Sequence, residues 1–248
     1  MIKQHSRNAF TLLELLVVCS IVAVLMVLLQ PAVTTLKGGN DVTLAAYAIK
    51  GVLDTARTFA KANNTYVWVG FYEEKGSTPS TNPATRGFGR VVMSIVASKD
   101  GTVMYDPNNP STSLDPTRLT QIGRLTKIDN VHLWTHTDNP AGTGSTFDTR
   151  PAIPTPYCIG DFSPSPSDTY FQYPVGNPAP ALQDKFVKAV QFSPGGEARI
   201  NNNYYSLQPA AEIGLEPMHG SVPPNVTPAN MVAIQFTGVG GNVRIYRR

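Results

Sequence analysis

Apolar residues run almost unbroken from Phe10 to Val33, and no charged residue falls between Leu15 and Leu36. About 20 such residues suffice to cross a bilayer core as a helix, so the pattern predicts a membrane-spanning helix over residues 10–36. One carboxylate, Glu14, stands near its start. An ionisable group at the edge of such a run is expensive in hydrocarbon and marks a functional position. Pro31 lacks an amide proton and crowds the preceding turn, which predicts a kink. Gly38-Gly39 predicts a second flexible point, after which Asn40 or Asp41 would cap a renewed helix. From Val42 to Ala62 the spacing is helical again. Leu44, Tyr47, Ala48, Val52, Ala56, Phe59 and Ala60 form the expected apolar stripe, with Asp54, Arg57 and Lys61 mostly off it. If nearly continuous, Phe10 to Ala62 would reach roughly 80 Å at 1.5 Å per residue. Asn63-Asn64 ends it.

The period then changes to two. Thr65–Tyr72 and Arg90–Ala97 are rich in β-branched and aromatic residues and read as strands. Leu119–Lys127 and Val131–His136 are weaker strand signals. From Thr137 to Asp184 Pro, Ser, Thr, Gly and Asn dominate, which predicts a long insertion rather than a domain. Regularity returns near the end. Phe186–Phe192, a turn at Ser193-Pro194-Gly195-Gly196 and Glu197–Ile200 form one hairpin. Met231–Phe236, a glycine-rich turn at residues 237–241 and Asn242–Tyr246 form another.

The chain has 248 residues, 42% of them hydrophobic, which allows a packed core outside the apolar run. Its 21 Pro and 20 Gly imply many loops. The net charge of +3 excludes a chain that is basic throughout. Of the two cysteines, Cys19 lies in the apolar run and Cys158 in a Pro-rich region, so a disulfide between them is not expected.

A short basic leader with Lys3 and Arg7, a small residue at Ala9, then Phe-Thr-Leu-Leu-Glu-Leu-Leu-Val-Val from Phe10 resembles the processing signal of type IV pilins and type II secretion pseudopilins. The usual residue before the cut in that family is Gly; here it is Ala9. The resemblance implies cleavage between Ala9 and Phe10 by a prepilin peptidase and N-methylation of the Phe10 amine. Glu14 would then be the fifth mature residue, which in the family pairs with a neighbouring subunit's terminal amine. A secretory signal would be cut after its apolar core; here the core would be retained. Basic residues before the span favour a cytoplasmic N-terminus, with the remainder in the periplasm. Loss of Lys3 and Arg7 with the leader would leave a nearly neutral mature chain.

TARTFAKANNTYVWVGF, VQFSPGGEARI and AIQFTGVGGNVRIYRR resemble, more narrowly, the minor pseudopilin H and FimT family. The fold implied is α+β and pilin-like: a long N-terminal helix, its first half in the membrane, packed on an antiparallel β head with a loop-rich insertion. The expected division is a leader over 1–9, a transmembrane half over 10–36, an amphipathic half over 37–63 and a head over 64–248, with about 73–185 largely insertion.

Other constellations are thinner. His132 and His136 are four apart but on an expected strand, without nearby acidic or sulfur ligands, so no metal is expected. Asp100, Asp106, Asn108 and Asn109 carry calcium-type oxygens, which turn chemistry explains equally well. No phosphate-cradling glycine loop and no catalytic order stand out, so neither a cofactor nor an enzyme is expected. The Asn-x-Thr triplets at Asn63 and Asn225 carry little weight. The sequence therefore predicts a structural filament subunit in the bacterial inner membrane, with other pilins or pseudopilins, the prepilin peptidase and the membrane as partners. Two alternatives stay open. One is a major pilin. The other is a DNA-binding minor pilin using Arg244, Arg247 and Arg248 beside Tyr246, since such a cluster contacts phosphates in a salt-dependent way.

Overall fold

The computed structural model describes residues 12–81, 84–104, 113–138, 140–160, 171–175, 184–200, 207–218, 220, 223 and 228–248, with side chains 28–40 excepted. It is an α+β protein: one N-terminal helix, then antiparallel sheets. The chain divides into two compact units, Met1–Lys37 and Gly38–Arg248.

Helix α1 spans Leu12–Ala62. In the first unit its described side chains, Leu12 to Val27, are all exposed. Among the described residues no helix is long and apolar enough to cross a membrane. The expected membrane span over residues 10–36 is therefore not supported. Helical backbone continues through Pro31 and through Gly38-Gly39. The expected restart is therefore corrected: Asp41 is no cap, and its carboxylate accepts from Asn130 Nδ2 at 3.1 Å.

In the second unit α1 buries Val42, Ala45, Ala46, Ile49, Leu53, Ala56 and Ala60, while Leu44 and Tyr47 stay more than half exposed. Of the expected stripe, Ala56 and Ala60 are buried and Val52 and Phe59 pack against the core; Leu44 and Tyr47 face outward, and Val42, Ala45, Ala46, Ile49 and Leu53 take inner positions beside them.

The first sheet has the order β3 (Leu119–Asp129), β2 (Gly89–Ser98), β1 (Val67–Lys75), β8 (Lys188–Phe192), β9 (Ala198–Ile200), with every neighbouring pair antiparallel. β1 is buried on both faces, as a central strand is. Val67, Val69 and Phe71 join the α1 side of the core, and Trp68 and Tyr72 belong to a second cluster. Leu114, Phe171 and Phe186, from the expected insertion and its border, complete that second cluster. Phe171 and Phe186 stack 5.1 Å apart, on the short ribbon of β6 (Phe171–Tyr173) and β7 (Asp184–Phe186). Both press on Gly70, where an added Cβ would lie 2.6 Å from each.

The second sheet runs β12 (Val243–Arg247), β11 (Val232–Thr237), β10 (Ala210–Pro217), β4 (Val131–Leu133); β5 (Cys158–Ile159) pairs parallel with β10. Its Ile213, Leu215, Val232, Ile234 and Phe236 enter the same core as α1. Strand β10 has no counterpart among the expected elements, and β4 ends at Leu133 rather than at His136.

Candidate functional site

Ala9 and Phe10 lie outside the described residues. Glu14 occupies the first turn of α1 and is exposed among Leu12, Leu13, Leu15, Leu16, Val17 and Val18, which are exposed as well. A carboxylate in a first helical turn faces the positive end of the helix dipole. Pro31 is helical, and its side chain is not among those described. Over its described side chains, Leu12 to Val27, the N-terminal surface is thus apolar and carries one acidic residue.

The C-terminal arginines are not equivalent. All three are exposed on or just after β12, at the end of the second sheet. The Arg247 guanidinium lies over the Tyr47 ring, 5.2 Å from its centre. Arg248 approaches Asp148 at 3.9 Å. Arg244 stands in register with Gln235. Tyr246, expected beside them as a stacking platform, is buried in a cluster with Phe147, Met231 and Ala233.

The two histidines are committed to different partners. His132 Nδ1 meets both Glu73 carboxylate oxygens at 3.0 Å, and the Leu133 amide donates to Glu73 Oε1 at 3.0 Å. This buried pair ties β1 of the first sheet to β4 of the second. His136 Nε2 meets the Val232 carbonyl at 3.1 Å, and its ring packs edge-on against Phe147. Among the described residues no group of three or more His, Cys, Asp or Glu side chains is placed to hold a metal ion. Asp106, Asn108 and Asn109 are outside the described residues. Asp100 accepts from Thr102 and Ser98 and is paired with Arg118. Those hydrogen bonds hold its carboxyl well below the usual carboxylate range. Asn63 donates to the Phe59 carbonyl at 3.0 Å, and Asn225 is not described. Cys158 is buried, with its thiol against the Ile153 and Pro154 carbonyls. Burial, reinforced by the charge of Glu212, pushes its pKa up to about 12, which makes it a poor nucleophile.

A polar hub was missed from the sequence. Arg150 is almost fully buried. It donates to both Asp138 oxygens at 2.6 and 2.7 Å, to Glu212 at 2.8 and 3.3 Å, and to the Phe147 carbonyl at 2.8 Å. Gln235 Nε2 completes it, donating to Glu212 at 2.8 Å and to the Pro151 carbonyl at 2.7 Å. Burial opposes the Arg150 charge, but the two carboxylates more than offset this, and its pKa lies above the ordinary value. The strap around residues 134–157 is thereby fastened to the centre of the second sheet. The available signal was the alternation Ala211, Ile213, Leu215 against Glu212, Gly214, Glu216.

Residues 4–29 match the family model of the prokaryotic N-terminal methylation motif. That match supports a type IV pilin-like prepilin signal at this end of the chain. None of the curated proteins and none of the solved structures matches the chain.

Proposed function

We propose that this chain is a minor pseudopilin or pilin-like structural subunit of a type II secretion pseudopilus or a related type IV filament. The observation that carries the reading is the methylation motif over residues 4–29, continuous with an exposed apolar helix bearing Glu14. The prepilin peptidase cuts between Ala9 and Phe10, and the Phe10 amine is methylated. The retained apolar segment holds the protein in the inner membrane, with the head in the periplasm, until the subunit enters a filament. There it packs against the same segments of other pilins or pseudopilins. Glu14 sets the axial register by pairing with a neighbour's Phe10 amine, since both groups are costly in hydrocarbon when unpaired. The engagement of Arg247 by Tyr47 and of Arg248 by Asp148 favours this structural reading over DNA capture. Mass spectrometry of the N-terminal peptide, from cells with an active prepilin peptidase, tests it. The expected species begins at N-methyl-Phe10, and a retained leader overturns the proposal.

A further inference from the structure

β3 ends the first sheet on one side and, at 11 residues, is the longest strand in it. The other strands that end a sheet among the described residues are short. β4, β6, β7 and β9 have three residues each, and β12 has five. A short end exposes few unpaired main-chain groups, whereas a long flat one is a template on which another strand can add.

The Lys99 amide donates to the Arg118 carbonyl at 2.9 Å, and the Asn130 amide to the Gly89 carbonyl at 2.9 Å. Inward and outward groups alternate along an antiparallel strand. Thr120, Ile122, Thr126 and Ile128 therefore turn their main-chain groups toward β2. Gln121, Lys127 and Asp129 turn theirs outward, where no described strand pairs with them.

This long edge is broken in the middle. Ile95 faces Ile122 but Met93 faces Thr126, so Gly123, Arg124 and Leu125 all stand opposite Ser94. Three residues against one make a bulge, which bends the strand and increases its twist. Only Leu119–Ile122 and Thr126–Asp129 remain in regular register. Gly123 supplies the backbone: its φ is +71°, and no atom lies within 4 Å of where a Cβ would be. Conformation, not space, calls for glycine there.

The core does not require the bulge. Four steps along β3 are set against two along β2, so the pleat keeps its phase across the irregularity. Ile122 and Ile128 pack on the α1 side, and Leu119 and Leu125 in the second cluster. Charge does not close the edge either. Lys127 is drawn back onto Glu74 and Asp129 onto Arg90, both on neighbouring strands of the same sheet. Arg124 sits at the bulge itself and is exposed.

We propose that the outer edge of β3 is a pairing surface for a second copy of this chain, held shut by the bulge at Gly123–Leu125. Every copy carries the same edge, and a two-fold axis beside it would set two β3 strands antiparallel. The bulge leaves neither half of the edge long enough to hold such a pair. The device acts in the head's first sheet and does not depend on the filament reading.

Hydrogen exchange of the full-length protein in neutral detergent micelles, resolved within residues 119–129 at low and high protein concentration, tests the proposal. In wild type the outward amides of Gln121, Lys127 and Asp129 are expected to exchange at a rate independent of concentration. Deletion of Gly123 and Arg124 makes the register continuous, with Leu125 opposite Ser94. In that variant the same amides are expected to exchange at least about tenfold more slowly at high concentration, as β3 pairs with β3. Gly123→Val disfavours the positive φ without shortening the chain. It is expected to give the same change to a lesser degree, and it decides the matter where the deletion variant does not fold. Arg124→Gln, which keeps the bulge, is expected to behave as wild type. Concentration-dependent protection of these amides in wild type overturns the proposal, because the edge would then already be open. Exchange in the folded bulge variants that matches wild type at every concentration overturns it as well. Association through the apolar N-terminal helix would leave these amides unprotected, so failure of the filament reading changes none of these outcomes.

Discussion

Arg150 of the strap and Glu212 of β10 meet at 2.8 Å with about 2% and 4% of their side chains exposed. Asp138, one-third exposed, holds the other side of the same guanidinium. A buried ion pair of this kind contributes little net stability against an apolar replacement, but breaking it leaves a lone buried charge. Arg150→Ala is therefore expected to destabilise the protein by about 3–5 kcal/mol. Removal of both charges, Arg150→Met with Glu212→Gln, is expected to cost clearly less. Urea denaturation of the three proteins checks this, and limited proteolysis should show faster cutting within residues 137–157 of the single variant. Equal midpoints for wild type and Arg150→Ala would contradict the role given to the hub.

Acid should loosen the same region. Burial holds the His136 pKa below its ordinary value of 6.5, against the opposing hydrogen bond to the Val232 carbonyl and the field of Glu212. Its neutral form is therefore favoured on folding, and that stability is complete above the unfolded pKa and declines as pH falls below it. Arg150 hydrogen bonds hold Asp138 below 3.8, so its contribution declines only in stronger acid. Asp184 works the other way: burial raises its pKa, and its cost at neutral pH is relieved on acidification. In the window from about pH 7.5 down to about pH 5.5 the histidine decides. The urea midpoint is expected to fall across that window in wild type and to fall less in His136→Gln. A wild-type midpoint that is flat or rises would refute the assignment.

The legible parts of this fold are those where residue type and spacing agree. Thr65–Tyr72 is rich in β-branched and aromatic side chains and Arg90–Ala97 in β-branched ones, and they fall on β1 and β2, the core strands of the first sheet. Two features were not legible, for different reasons. On α1 the stripe's Ala56 and Ala60 are buried as expected, but Leu44 and Tyr47 face outward and Ala45 and Ala46 lie inward, because small residues carry little weight in a pattern that favours bulk. Strand β10 carries Glu212 and Glu216 at buried positions, and two carboxylates in eight residues read as surface until Arg150, 62 positions away, is brought against one of them. At the N-terminus the residue pattern and the family match coincide, while Ala9 and Phe10 themselves lie outside the described structure.

Gly70 provides a separate test of how the insertion is attached. The absence of a side chain there lets Phe171 and Phe186 sit directly on β1. Gly70→Ala forces a methyl group to within 2.6 Å of Phe171 Cζ and Phe186 Cβ, an overpacking that typically costs about 1–3 kcal/mol. The expected result is a lower thermal midpoint together with increased binding of a hydrophobic dye, as the Trp68 and Tyr72 cluster opens. Phe171→Leu in the same chain should recover part of the loss. If Gly70→Ala matches wild type in both measurements, the cover is not seated on β1.

The decisive variant for the proposed filament role is Glu14→Val. Glu14 sits in the first turn of α1, within an apolar helix surface that is exposed over its described length. Within lipid an ionised carboxylate costs about 2.5–3.5 kcal/mol at a helix centre and less toward the interface. In the proposed filament a neighbour's Phe10 amine would offset that cost only when the two helices dock at one axial position. Valine removes the cost and the register together. It keeps the apolar helix, so membrane insertion and cleavage after Ala9 should proceed as in wild type. Incorporation into sheared filaments, read by immunoblot against the membrane pool, should fall at least about tenfold, equivalent to some 1.4 kcal/mol of lost docking preference. Glu14→Asp, which keeps the charge on a shorter stem, should fall between the two. Filament incorporation of Glu14→Val at the wild-type level would remove the register mechanism, while a defect already present in cleavage or insertion would place the role of Glu14 before assembly.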